Sequence, residues 1–193
     1  MLLKETTPAA MNPVPLREFG AHLRLSHGFN DDGSEDALLE IYLRNATAVV
    51  ERRTGQALIA RPYLLQSACW DRKGHMTLPV GPVGQIDALR YVGPGGTIDL
   101  DPEDWVLEPG TTRQKVTGAG GGALWPLPHG SVAEFEFTAG YGTSWNDVPD
   151  DLRQAVILLA AHYYEDRSGN IEIEGGLPYG VLSIVEQHRP VRL

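Results

Sequence analysis

Two segments with the apolar spacing of helices, residues 34–54 and 149–168, flank a central block at 60–140 that lacks this spacing. In the block, short apolar pieces alternate with turn signals such as RKG, GPVG, GPGG and EPG. Short apolar segments separated by such turns are typical of antiparallel strands. The 22 glycines and 14 prolines of the chain also argue against an all-helical fold. We therefore predict an α+β protein, a helical bundle with an antiparallel β insertion at about residues 60–140 and an extended C-terminal arm.

The helices are predicted near residues 15–25, 34–54 and 149–168. In the second helix, Ser34 suits the N-cap, and Gly55 suits the left-handed position that follows the last turn. The apolar face of this helix comprises Leu38, Leu39, Tyr42, Ala46, Val49 and Val50. Pro149 opens the third helix, where a proline is tolerated in the first turn. The core stripe of the third helix comprises Leu152, Ala155, Val156, Leu159 and Tyr163.

Both ends of the chain are predicted to lie outside a main domain at residues 15–169. Residues 1–14 have the composition of a flexible arm, and residues 170–193 follow a break at Ser168-Gly169. Within this C-terminal arm, the apolar spacing from Val181 to Gln187 permits a short amphipathic helix. Its apolar cluster would be costly to leave exposed, so the helix either folds back on its own core or docks on a partner.

The charge balance is acidic, with 25 Asp and Glu against 16 Lys and Arg, for a net charge of −9. Proteins that grip nucleic acid by its phosphates carry basic patches instead, so we expect no tight DNA binding. Cys69 is the single cysteine and cannot form an internal disulfide. No apolar run approaches the roughly 20 residues of a membrane span, and no membrane partner is expected.

The sequence offers no set of residues arranged for catalysis. The glycines from Gly118 to Gly122 lead into Ala-Leu-Trp-Pro, whereas a phosphate loop leads into a helix that starts with Lys and Ser or Thr. We expect a mobile hairpin or, in an assembly, a ring-lining loop there. The six histidines lack metal-binding spacing, and Ser144 lacks the pattern of a nucleophile. We predict no enzyme and no catalytic, cofactor or metal residues; the alternative from another class is a small cytoplasmic ligand-binding enzyme that uses the glycine loop.

Three stretches together are similar to a known family. The main one is FTAGYG (137–142) followed by VPDDLRQAVILLAAHYYEDR (148–167), and the others are VVERRTGQALI (49–59) and GLPYGVLSIVEQHRP (176–190). The order "strand, TAGYG, VP, helix ending H-x-Y-E-x-R" resembles the head–tail connector, or adaptor, family of long-tailed phages, prophages and gene transfer agents. Each piece alone is weakly specific, and the specificity comes from their combination along residues 14–190.

The resemblance implies a structural subunit of the neck of a virion or phage-like particle, assembled in the bacterial cytoplasm. It implies a ring, expected to be a dodecamer, that sits under the portal protein and receives the next connector, stopper or tail protein. DNA would pass through the ring without tight binding, because carboxylates lining a channel repel phosphates. A stopper or tail-completion protein remains an alternative, although the TAGYG–VP–helix order favours the adaptor.

The resemblance also favours docking of the C-terminal arm on the portal or on a neighbouring subunit. The partner-binding residues predicted on this basis are Leu177, Pro178, Tyr179, Val181, Leu182, Ile184, Val185 and Arg189.

Overall fold

The structure, a computed structural model, describes residues 1–7, 14, 16–24, 36–110, 112–166 and 177–189. The chain forms two compact units. The helical unit comprises residues 11–54 and 144–193, and the sheet unit comprises residues 1–10 and 55–143. Most of the sheet unit is therefore one segment inserted between two helices of the other unit. The predicted α+β class is confirmed.

The helical unit contains four described α-helices. They are α1 (Leu16–His22), α2 (Asp36–Thr54), α3 (Asp150–Glu165) and α4 (Tyr179–Gln187). The central one is α3, which contacts the other three and buries residues on more than one face. Its fully or largely buried side chains are Leu152, Ala155, Val156, Ile157, Leu159, Ala160 and Ala161. In the part of the chain that the structure describes, no helix is long and apolar enough to cross a bilayer.

The helices follow the predicted apolar spacing, with small differences at their ends and in the face of α2, where Leu38, Tyr42 and Val49 are only half-buried. Leu43, which was not predicted, is buried there. In α2 the buried residues Leu39, Leu43, Ala46 and Val50 recur every three or four positions and form one stripe. Gly55 follows with a φ of 69°, as expected for a residue that terminates a helix. The predicted cap Ser34 lies outside the described residues. In α3 the predicted stripe is buried except for Tyr163, which is half-buried.

The sheet unit consists of two antiparallel sheets. The larger sheet has the strand order β1-β2-β8-β4-β5, formed by Leu2–Glu5, Arg61–Ser67, Val132–Ala139, Val83–Gly93 and Gly96–Asp99. The smaller sheet has the order β3-β7-β6, formed by Met76–Thr77, Lys115–Gly118 and Trp105–Leu107. The antiparallel strands predicted for the central block are confirmed.

The middle strand, β8, organises the core of the sheet unit. Its residues alternate strictly, with Ala133, Phe135, Phe137 and Ala139 buried on one face. Tyr63 of β2 stacks on Phe137 at a ring-centroid distance of 5.7 Å. The same apolar cluster includes residues of the smaller sheet and its flanks, namely Met76, Leu78 and Val116. Both sheets of the unit therefore share one core.

The N-terminal arm differs from its prediction. Leu2–Glu5 forms β1, which pairs antiparallel with β2 from Leu2 opposite Gln66 to Glu5 opposite Tyr63. Arg61 Nη2 lies 2.9 Å from Glu5 Oε1, which adds an ion pair at the end of this pairing. The expectation of a flexible arm is thus wrong for these residues, because a distant strand supplies the hydrogen-bond partners that the short segment lacks by itself.

The C-terminal arm also packs more closely than predicted. Its helix α4 contacts α3 and, to a smaller extent, α2. Leu177, Val181 and Val185 are between 0 and 2 % exposed, so this apolar row is covered by the helical unit of the same chain. Residues 170–176 and the predicted break at Ser168-Gly169 lie outside the described residues.

Candidate assembly surfaces

The TAGYG motif forms a turn that holds the chain between α2 and β2. After β8, the N–H of Gly140 donates to Pro82 O at 2.8 Å. The N–H of Ala60 donates to Gly142 O at 2.7 Å, and the hydroxyl of Tyr141 lies 2.7 Å from Oε1 of the buried Gln56. The motif therefore connects three segments of the sheet unit and is a structural element.

Gly140 occupies a position that other residues cannot take without strain. Its φ is 138°, and a Cβ placed there would lie 2.3 Å from the backbone nitrogen of Ala60. Gly142, the other glycine that ends the motif, does not have a positive φ.

The loop after TAGYG and the second part of the motif together set up the start of α3. Ser144 and Asp147 form a reciprocal capping box around the short helix Trp145–Asp147. Asp150 accepts a charged hydrogen bond from Arg153 in the first turn of α3. The motif thus fixes where α3 begins, which is the helix on which the rest of the unit packs.

Near the other end of α3, the aromatic residues of the motif pack within the helical unit. Tyr164 meets Tyr42 of α2 edge-on, with ring centroids 6.2 Å apart. Burial raises the pKa of the Tyr163 hydroxyl, although the nearby Arg52 and Arg53 oppose this shift. These contacts explain the aromatic positions as packing residues; Arg167 of the motif lies outside the described residues.

Residues of the predicted docking surface divide between the core and the exterior. Leu177, Val181 and Val185 are buried in their own unit, as described above. Tyr179 is 86 % exposed and Arg189 is also exposed, while Pro178, Leu182 and Ile184 are half-buried. The buried three anchor α4 and are not available to a partner in this conformation. The accessible part of the predicted surface is the outer side of α4, with Tyr179 at its beginning and Arg189 beyond its end.

A polar contact adds to the apolar anchoring of α4. His188 Nε2 lies 2.5 Å from Asp151 Oδ2 in the first turn of α3. Burial raises the pKa of Asp151, but hydrogen bonds from His188 and from the N–H of Leu152, together with the charge of His188, lower it below 3.8. Asp151 is therefore held as a carboxylate that binds the end of α4.

The edges of the larger sheet form a second exposed surface. The strand β1 pairs with β2, and β5 pairs with β4; along their described residues neither has a partner on its other side. All residues of both strands are exposed. The exposed apolar side chains there include Leu2 at 60 %, Leu3 at 37 % and Ile98 at 56 %. The sequence analysis missed this surface, because residues 1–14 were predicted to be a flexible arm and no strand was expected there.

The glycine-rich segment has no arrangement suited to phosphate binding. Ala119–Gly121 forms a tight turn in which Gly120 has a φ of 70°, and the N–H of Gly118 donates to Gly122 O at 2.8 Å. The chain then runs on to Leu124, whose N–H donates to Gly74 O, and no helix follows the glycines. The structure therefore shows a compact turn, and the mobile hairpin or ring-lining loop stays a prediction. Across the described ranges, no group of three His, Cys, Asp or Glu residues is placed to hold a metal ion.

Solved structures of phage-like particles contain chains similar to this one. A chain in the neck of an empty gene transfer agent particle, computed with C6 symmetry, is 42 % identical with a TM-score of 0.87; the match covers 100 % of this chain and 97 % of that one. A chain in the virion of a native gene transfer agent particle matches with the same values. The chain belongs to the head–tail connector family of phages and gene transfer agents. The family resemblance inferred from the sequence is thereby confirmed.

A third related chain comes from the neck of a native gene transfer agent particle computed with C12 symmetry. It is 38 % identical with a TM-score of 0.83, over 100 % of this chain and 97 % of that one. No protein-family model and no curated protein matches the chain. Because these matches extend over both units, the connector fold includes the sheet unit as well as the helices.

Proposed function

We propose that the chain is the adaptor subunit of a head–tail connector, forming a twelve-membered ring under the portal in the neck of a phage-like gene transfer particle or a tailed phage. The observation that carries this proposal is the end-to-end match, at 38–42 % identity, with chains from gene transfer agent necks. The C12 symmetry of one of those necks supports the ring size. The ring would extend the DNA channel and receive the next connector, stopper or tail protein.

The adaptor assignment, as against a stopper or tail-completion protein, is supported by the order TAGYG, Val148-Pro149 and α3. In this chain that order builds a turn and a helix start, which are features of shape rather than of chemistry. A purely structural role agrees with the contacts in this region: Gly140 fits a close backbone approach, and Ser144, in the loop before Val148-Pro149, caps a helix. The proposed subunit therefore catalyses no reaction.

The outer side of α4 is the proposed contact with the portal or a neighbouring subunit. Tyr179 and Arg189 are its most accessible members, and aromatic and arginine side chains are enriched in protein interfaces. Leu177, Val181 and Val185 would hold the helix in place while its outer side binds. Deleting α4 would uncover the apolar surface of the helical unit that these buried residues cover, so point variants on its outer side are the suitable test.

The test is electron microscopy of particles together with two point variants. In wild-type particles we expect a ring of this subunit directly below the portal; particles that carry it in a single copy, or elsewhere, would refute the adaptor role. Tyr179→Ala and Arg189→Glu should leave the subunit folded but lower its incorporation into necks and the yield of tailed particles. Asn45→Ala, an exposed change on α2 away from α4, is the control and should incorporate normally.

A further inference from the structure

The two outer strands of the larger sheet have geometries that fit one another. The sheet order is β1-β2-β8-β4-β5 and each neighbouring pair is antiparallel. Four direction reversals separate β1 from β5, so these two edge strands run in the same direction. Among the residues that the structure describes, the outer backbone N–H and C=O groups of both strands have no strand partner, and an exposed edge strand of this kind is a template for another chain.

The exposed side chains of the two edge strands also lie on corresponding faces of the sheet. Leu3 lies opposite Leu65, and Leu65 lies opposite Phe135, so Leu3 is on the core face of the sheet. Ile98 lies opposite Tyr91, which is on the same buried face as Leu89. Lys4 and Asp99 are therefore both on the opposite, outer face, because successive residues of a strand alternate.

We propose that β1 of one subunit adds to β5 of the next subunit in the ring, in parallel, with Leu3 beside Ile98 and Lys4 beside Asp99. This inference rests on the proposed ring and specifies the contact that closes it. In this register an apolar pair falls on the core face, and an oppositely charged pair falls on the outer face. A shift by one residue would place Leu3 and Ile98 on opposite faces, because register slips of one invert every side chain.

Ring symmetry determines the direction of the pairing. A twelvefold axis turns each neighbour by about 30°, and a sixfold axis by about 60°. Rotations of this size do not reverse a strand, so a contact between β5 and the neighbour's β1 would be parallel and not antiparallel. Each subunit has one edge of each kind, and head-to-tail contacts between two different edges close into a ring when the rotation permits.

Charge and exposure support a second copy of this chain as the occupant of the edge. The side chain of Asp99 is 80 % exposed, and its contact with Arg90 is long, at 3.9 Å, so it can accept a further cation. Lys4 is exposed on β1. Leu3 and Ile98 remain partly or largely in water in the single chain. Pairing would cover both apolar side chains and hydrogen-bond both backbones at once.

Cysteine cross-linking in assembled particles tests the register. In a Cys69→Ser background, which removes the exposed native thiol, Lys4→Cys and Asp99→Cys are combined in one subunit. Adjacent strands lie about 4.8 Å apart, within the range of Cα distances that a disulfide spans. Mild oxidation should convert the subunit into a ladder of covalent multimers on a non-reducing gel. The control pair Lys4→Cys with Ile98→Cys points to opposite faces and should stay monomeric.

The outcomes separate this inference from the proposed function. If microscopy finds the ring but the Lys4–Asp99 cysteine pair stays monomeric, or the control pair cross-links equally, the strand pairing is wrong while the adaptor role stands. If particles contain no ring of this subunit, the proposed function itself fails. Charge reversal gives an independent readout: Lys4→Asp and Asp99→Lys should each cause a loss of neck incorporation, and the double reversal should restore it. If both single variants are folded and the double variant still does not incorporate into necks, the proposed pairing is also wrong.

Discussion

His188 Nε2 lies 2.5 Å from Asp151 Oδ2, so the residue that follows α4 is bound to the first turn of α3. The folded state lowers the pKa of Asp151, and its carboxylate therefore stabilises folding at pH values above its ordinary pKa of 3.8. This contribution is lost as the pH falls through the lowered pKa. We expect Asp151→Asn to reduce the free energy of unfolding by about 0.5 kcal/mol at neutral pH, since the pair is partly exposed.

Urea unfolding followed by circular dichroism over a range of pH measures this effect. The difference between wild type and Asp151→Asn should shrink as the pH falls below 3.8. Glu186→Gln, on an exposed position of α4, is the control and should show no such difference. If Asp151→Asn lowers the free energy of unfolding equally at neutral and at acidic pH, the charge of the carboxylate is not involved.

Gly140→Ala is expected to destabilise the sheet unit by about 2–4 kcal/mol, because the residue has a φ of 138° and the new Cβ would meet Ala60 at 2.3 Å. Thermal unfolding provides the measurement. Gly95→Ala is the matched control, since nothing lies within 4 Å of a Cβ there and its φ is not positive. Equal melting temperatures for the two variants would show that the TAGYG turn is not tightly constrained.

Leu177→Ala should lower the free energy of unfolding of the helical unit by about 2–4 kcal/mol, because a side chain only 1 % exposed is truncated. Tyr179→Ala, two residues away and 86 % exposed, should change it by less than about 0.5 kcal/mol. Chemical denaturation of the two purified variants makes the comparison. A small effect of Leu177→Ala would indicate that α4 separates from α3 in solution. In that case the apolar row of α4 would be accessible to a docking partner.

The free subunit should bind duplex DNA weakly at physiological salt, with a Kd above about 1 μM, because its net charge is −9. Fluorescence anisotropy with a labelled duplex, repeated at two salt concentrations, tests this. Submicromolar affinity with a steep salt dependence would contradict the expectation and would point to a local basic surface.

Local sequence patterns predicted those parts of the fold that depend on neighbours in sequence. The apolar pieces between turn signals predicted antiparallel strands such as β8, and the spacing from Leu152 to Leu159 predicted α3. In contrast, β1 has only four residues and no alternation, and its partner β2 lies more than fifty residues away. Non-local pairing of this kind leaves no signal in the short segment itself.

The candidate docking surface was predicted only in part for a related reason. The amphipathic spacing of Val181 and Val185 shows that one side of α4 must be covered, but not what covers it. In the structure the cover is α3 of the same chain, and the polar contact between His188 and Asp151 fits that arrangement. The side chains left accessible, such as Tyr179, could be identified only once the buried side was known.

The insertion of the sheet unit between α2 and α3 has a consequence for synthesis on the ribosome. When α2 emerges, its main packing partner α3 has not been made, and it must wait for the whole segment from Gly55 to Pro149. The larger sheet is complete at β8, before α3 exists, so nascent chains should finish the sheet unit first. Until translation passes Glu165, the apolar stripe of α2 is without α3, and this interval is when the newborn subunit is most exposed to aggregation or to chaperones.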